Sequence, residues 1–249
     1  MEAGMRVERR VATVGDYPVR YKVAGETGEP VILVHGLSGS TRWWMENVEA
    51  LARLYRVYLV DLPGFGAMRR SPLRQGVHAT IDWLIRWMET VRLGPAHLVG
   101  HSMGGQICLR IAAERPDLVN RLVLVAPAIW FVRGSLLARL SPFMEETRRM
   151  SPRFMATLSY DALRAGPVTL LRSARDLLRE EVARDLTAIQ APTLLIWGEH
   201  DPIVPVSTGY ELRRLIPHAR LLVLKDASHV LMFHDARRFN SALLQFLRG

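Results

Sequence analysis

The 249-residue sequence predicts an α/β fold, a mostly parallel sheet flanked by helices and interrupted by one helical insertion. Two observations carry this reading. From residue 31 onward, short β-rich runs alternate with helix-length segments, as parallel βαβ units require. One stretch, from about Pro127 to Gln190, breaks the alternation: it holds no strand run and is rich in Leu, Met, Phe and Arg.

The elements follow in order. Val7–Val14 and Pro18–Val23 flank Gly15-Asp16, a hairpin turn signal. Val31–Val34 is a continuous apolar run, as expected of a strand buried on both faces. Val57–Val60, Ala96–Val99, Leu122–Val125, Thr193–Trp197 and Leu221–Leu224 repeat that character. Helices are expected at Thr41–Leu54, Ala79–Val91, Met103–Arg115, Ser207–Ile216 and Asp235–Arg248. In the last of these, Phe239, Leu243, Phe246 and Leu247 recur at helical spacing and should face the sheet. Residues 1–126 and 191–249 then form the core domain, and residues 127–190 a helical cap.

Composition narrows the class. The chain is 49% hydrophobic and 23% charged, ordinary for a globular domain, and no apolar run approaches the ~18 residues of a membrane span. The net charge of +9 invites a nucleic-acid reading. Its basic residues, however, are spread as singles and doublets rather than gathered into a stripe, so no nucleic-acid partner is expected. Cys108 stands alone, which excludes an intrachain disulfide and fits a reducing compartment. The N-terminus carries Glu2, Arg6, Glu8, Arg9 and Arg10 where a secretory signal would need an apolar stretch. The expectation is a cytoplasmic protein with no membrane contact. Metal-ligand clusters, dinucleotide fingerprints and phosphate loops are not found, so no cofactor and no metal are expected.

Gly100-His101-Ser102-Met103-Gly104 matches G-x-S-x-G, between a strand (His97-Leu98-Val99) and a helix that Pro116 stops. So tight a turn crowds the backbone and needs small residues two before and two after the serine. Gly100, Gly104 and Gly105 supply them. The turn lifts Ser102 above the carboxyl edge of the sheet, where ligands bind in open α/β folds. A serine hydroxyl is a weak nucleophile at neutral pH and needs an adjacent base. In folds built around a G-x-S-x-G turn, chain order runs nucleophile, acid, base. His229 follows the last strand on the edge that carries Ser102; His218 precedes that strand, and His234 begins the final helix in solvent. His229 is therefore the expected base. Asp201 lies just beyond Thr193–Trp197 at the same edge and is the expected acid, with Glu199 and Asp226 as rivals. Asp226, three residues from His229, suits loop capping better. Oxyanion donors are expected at the Met103 amide, which opens a helix, and at the Leu37 amide in the loop His35–Ser40.

His35-Gly36, Asp61-Leu62-Pro63-Gly64-Phe65-Gly66, Gly100–Gly105, Trp197–Pro205 and Ser228-His229 together resemble the α/β-hydrolase superfamily over nearly the whole chain. The resemblance implies an eight-stranded sheet with its second strand antiparallel, a helical cap after the sixth strand, and Leu37 and Met103 as oxyanion donors. Haloalkane dehalogenases and epoxide hydrolases of this fold carry aspartate where Ser102 stands. Carbon–carbon hydrolases of ring-cleavage products share Ser-Met-Gly-Gly, but usually place Asn and Trp where this chain has His101 and Val230. The expected activity is that of a carboxylesterase acting on small esters of short to medium acyl chain. C–C or lactone hydrolysis, acyl transfer and a ligand sensor with vestigial turnover remain as alternatives. Trp43 and Trp44 suit either the pocket mouth or helix anchoring, and Cys108 suits core packing. Trp130, Phe131, Phe143, Met144, Met150, Phe154 and Met155 are too many apolar groups for a cap that faces only water.

Overall fold

The computed structural model describes residues 6–71, 76–129, 140–179 and 186–249. Eight strands form one sheet in the order β1-β2-β4-β3-β5-β6-β7-β8. They are β1 Val7–Val14, β2 Tyr17–Ala24, β3 Pro30–Val34, β4 Arg56–Val60, β5 Ala96–His101, β6 Val119–Val125, β7 Thr193–Gly198 and β8 Arg220–Leu224. β2 runs antiparallel to both its neighbours, and the pairs from β4 through β8 are parallel. This is the expected α/β-hydrolase sheet.

Alternation along each strand sends side chains to two cores. Ile32 and Val34 of β3 join Leu98, Leu122 and Leu195 on one face. That face is covered by α2 (Val77–Thr90), α3 (Met103–Glu114) and α7 (Val206–Leu215). Val31 and Leu33 join Val99, Val123 and Ile196 on the other, under α1 (Met45–Ala52) and α9 (Ala236–Arg248). Within α9, Phe239, Leu243 and Leu247 are buried as their spacing predicts.

Boundaries shift where pairing or capping outlasts the apolar run. β5 extends through Gly100 and His101, which pair with Leu124 and Val125. The helix expected at Thr41–Leu54 is divided: Ser40 Oγ accepts from the Arg42 amide at 3.2 Å, opening a 3₁₀ turn before α1 begins. His234 closes a separate short helix, α8 (Leu231–His234), rather than opening α9.

Between β6 and β7 stand α4 (Leu140–Arg149), α5 (Pro152–Ala165) and α6 (Pro167–Arg179), and no strand occurs among the described residues there. α5 starts cleanly because Ser151 Oγ accepts from the Phe154 amide and Pro152 takes the first helical position. Trp130 and Phe131 lie outside the described residues. Asp161 of α5 joins this segment to the core: it is buried, and accepts from Ser40 Oγ at 2.7 Å and from Arg42 Nη1 at 2.5 Å. No helix among the described residues is long and apolar enough to cross a membrane.

Candidate active site

Ser102 sits between the end of β5 and the start of α3 with φ 51° and ψ −117°, a conformation non-glycine residues rarely adopt. Such strain costs roughly 1–3 kcal/mol and persists only where the surroundings over-determine it. Here the Ser102 amide donates to Val125 O at 3.0 Å, and its carbonyl accepts from the Gln106 and Ala128 amides at 3.1 and 3.0 Å. The residues two before and two after it must be glycine. A Cβ on Gly100 would lie 2.3 Å from Gly104 O, and one on Gly104 would lie 2.4 Å from Val34 O.

His229 follows β8 and is buried. Its Nδ1 lies 2.7 Å from Asp201 Oδ2, while Asp201 Oδ1 accepts from the Ile203 and Val204 amides at 2.9 and 3.0 Å. Donation from Nδ1–H leaves the Nε2 lone pair as the basic site of the neutral ring. The two loops are stitched together: the Glu199 amide donates to Leu224 O and the His200 amide to Ala227 O. The indole of Trp197 holds the Asp201 loop from behind by donating to Val204 O at 2.8 Å. Burial, the largest influence, pushes the His229 pKa down. The charge and hydrogen bond of Asp201, with a further contribution from Glu146, overcome it and leave the pKa raised.

The rival acids point elsewhere. Glu199 Oε2 accepts from the Asp226 amide at 3.1 Å, and both carboxylates gather with His200 into an exposed trio whose ligand atoms lie within 4.8 Å of one another. Sequence spacing did not flag that trio, because the two loops contribute one part each.

Ser102, His229 and Leu37 line one cavity of about 220 Å³. Phe143, Met150 and Leu158 from α4, the turn after it and α5, with Leu177 from α6, close its other side. The loop carrying Leu37 is fixed by His35, whose Nδ1–H donates to Gly36 O at 2.8 Å while Nε2 accepts from the Leu62 amide at 3.0 Å. Burial lowers the His35 pKa, in keeping with that neutral tautomer. The Met103 amide opens α3 and has no carbonyl one turn back to bond.

Three groups at the site escaped the sequence reading. His101, the residue before Ser102, is buried with its ring centroid 4.7 Å from that of His229, and its Nε2 donates to the His229 carbonyl at 3.1 Å. Burial first, then the charge of His229, pushes its pKa well down, so it serves as a neutral donor. Glu146 of α4 is fully buried and accepts from Ser228 Oγ, beside His229. Ser228 was noted only as half of a motif. Sequence spacing gives no signal for these contacts, because His101 meets the His229 carbonyl across 128 residues and Glu146 meets Ser228 across 82.

With this geometry in view, comparison with known proteins decides the family. Residues 31–242 match the model of the Alpha/beta hydrolase family. The chain belongs to that family. It is a hydrolase. It is similar to a 2-hydroxy-6-oxononadienedioate/2-hydroxy-6-oxononatrienedioate hydrolase of Burkholderia vietnamiensis (strain G4 / LMG 22486), at 32% identity over 92% of this chain and 91% of the relative. It is also similar to a pimeloyl-[acyl-carrier protein] methyl ester esterase of Aeromonas hydrophila, at 28% identity over 88% of this hydrolase and 96% of the relative. A thermophilic esterase from Thermogutta terrifontis superimposes with a TM-score of 0.80 at 26% identity, over 97% of this chain and 98% of that one.

Proposed function

We propose that this hydrolase cleaves carboxylic esters of short to medium acyl chain through an acyl-enzyme on Ser102. The observation that carries the reading is the buried His229–Asp201 pair opening onto the same apolar cavity as the strained Ser102. In this mechanism Ser102 Oγ attacks the ester carbonyl while His229 Nε2 takes its proton. The Leu37 and Met103 amides hold the developing oxyanion, each such donor contributing roughly 2.7–4 kcal/mol in comparable enzymes. As the intermediate collapses, His229 gives that proton to the leaving oxygen, which departs as the alcohol. Water, activated by the same imidazole, then releases the acid. Asp201 orients the ring and stabilises its charged form. The segment of α4 to α6 acts as a cap whose apolar side chains receive the acyl group.

A second reading, cleavage of a C–C bond in a ring-cleavage product, draws support from the Burkholderia relative. Two experiments separate the possibilities. A fluorophosphonate should add one equivalent at Ser102, and Ser102→Ala should abolish labelling and turnover; labelling that survives sinks the assignment. A panel of aryl esters against a ring-cleavage dienoate should favour the esters, and the opposite ranking would hand the chain to the C–C hydrolases.

A further inference from the structure

Away from the cavity at Ser102, a second concavity of about 370 Å³ lies between the β1–β2 hairpin, the turn Thr41–Arg42, the loop Asp61–Ala67 and the end of α5. Six cationic side chains line it: Arg9, Arg10, Arg20, Lys22, Arg42 and Arg164. They come from three separate parts of the chain, which is why sequence doublets did not reveal them.

Internal partners account for only part of this charge. Arg10 pairs with Glu8 at 2.8 Å and Arg42 with Asp161 at 2.5 Å. Arg9, Arg20 and Lys22 have no ion pair among the described residues. Arg164 keeps a buried Nε without a hydrogen-bond partner, its guanidinium resting on the Tyr160 ring. Among the described residues Asp61 is the one carboxylate of the lining, and its two oxygens are already engaged, accepting from the Thr41 amide at 2.6 Å and the Ala67 amide at 2.7 Å.

The strand register sharpens the imbalance. Arg9 and Lys22 are direct cross-strand partners, an arrangement of like charges that works against the hairpin. Burial is the largest influence lowering the Lys22 pKa; Asp61 and Asp161 pull it up, and Arg42 and Arg9 push it down. An anion seated there would relieve the repulsion between Arg9 and Lys22.

We propose that this groove binds a polyvalent phosphate, the pyrophosphate or phosphate group of a small molecule. Guanidinium forks arriving from several directions suit a ligand with oxygens on several sides, whereas one carboxylate fills one fork. A concavity of about 370 Å³ fits a small molecule rather than a nucleic-acid backbone, which needs an extended basic stripe.

Titration calorimetry with inorganic pyrophosphate, at ionic strength held constant with NaCl, tests this without reference to the catalytic assignment. Saturable one-site binding is expected, with acetate giving none. Lys22→Gln should weaken it at least about tenfold, and so should the exposed double variant Arg9→Gln/Arg20→Gln, which decides alone if Lys22→Gln does not fold. Heats no larger than those of matched NaCl overturn the proposal, as does wild-type affinity in the folded variants.

Discussion

Asp201 Oδ2 lies 2.7 Å from His229 Nδ1, and both side chains are almost wholly out of solvent. In that setting the carboxylate does more than orient the ring. It stabilises imidazolium enough to overcome the burial that would otherwise lower the His229 pKa.

The sign of the pH dependence follows. Only neutral imidazole accepts the Ser102 proton, so activity is lost as pH falls through the His229 pKa. Because that pKa is raised, the acid limb of kcat/KM should centre above ~6.5, the ordinary histidine value. Asp201→Asn should lower kcat by as much as about 10⁴ with the fold intact. An acid limb below that of free histidine, or a fully active Asp201→Asn beside a dead Glu199→Gln, would reject the assignment. The measurement is a pH–rate profile on an aryl acetate.

The turn at Ser102 yields a steric prediction. A methyl on Gly104 would press into Val34 O at 2.4 Å, against backbone that has no rotamer to yield. Overpacking of this kind typically costs about 1–3 kcal/mol. Gly104→Ala should therefore lower the urea midpoint at unchanged m-value and reduce fluorophosphonate labelling of Ser102. A variant with wild-type stability and labelling would show that the turn is looser than its contacts indicate.

Some of this was legible in the sequence and some was not, for physical reasons. The strands could be read because burial on both faces imposes unbroken apolar runs such as Val31–Val34. Ser102, Asp201 and His229 could be expected near one another because the sheet's carboxyl edge collects the loops that follow its strands, and Asp201 does bond His229 beside the cavity that Ser102 lines. What sequence could not supply were contacts made across the fold. Glu146 reaches Ser228 over 82 residues, and Asp161 reaches Ser40 over 121, with no periodicity linking them. The partition of the cap's aromatics was equally hidden, since an apolar side chain reads the same whether it faces a cavity or a core.

Cys108 gives a stability readout free of catalysis. It is fully buried on α3 behind the serine turn, and burial pushes its thiol pKa far up. A thiol that is neither ionised nor accessible should not react with a disulfide reagent in the native state. One equivalent should react in urea, at a rate that follows global unfolding. Rapid native labelling would mean that α3 opens locally.

Phe143 and Phe154 separate two jobs proposed for the α4–α6 segment. Phe143 is 42% exposed and lines the cavity with Ser102. Phe154 is fully buried, with its ring centroid 5.1 Å from Trp43 and 4.9 Å from Phe233, so it clamps α5 to the core. Of these two, only Phe143 is placed for the proposed acyl pocket. Each buried methylene contributes roughly 0.8 kcal/mol, about fourfold in kcat/KM, until the cavity is full. Efficiency against p-nitrophenyl esters should therefore climb over the first few carbons and then fall. Phe143→Ala should move the optimum to longer chains with little change in Tm. Phe154→Ala should cost about 3–5 kcal/mol, or roughly 6–20 °C in Tm for a chain of this size, with the optimum unmoved where the variant folds. Rates that rise through palmitate in the wild type would rule out an acyl group confined to this cavity. A chain-length shift in Phe154→Ala but not in Phe143→Ala would reverse the two assignments.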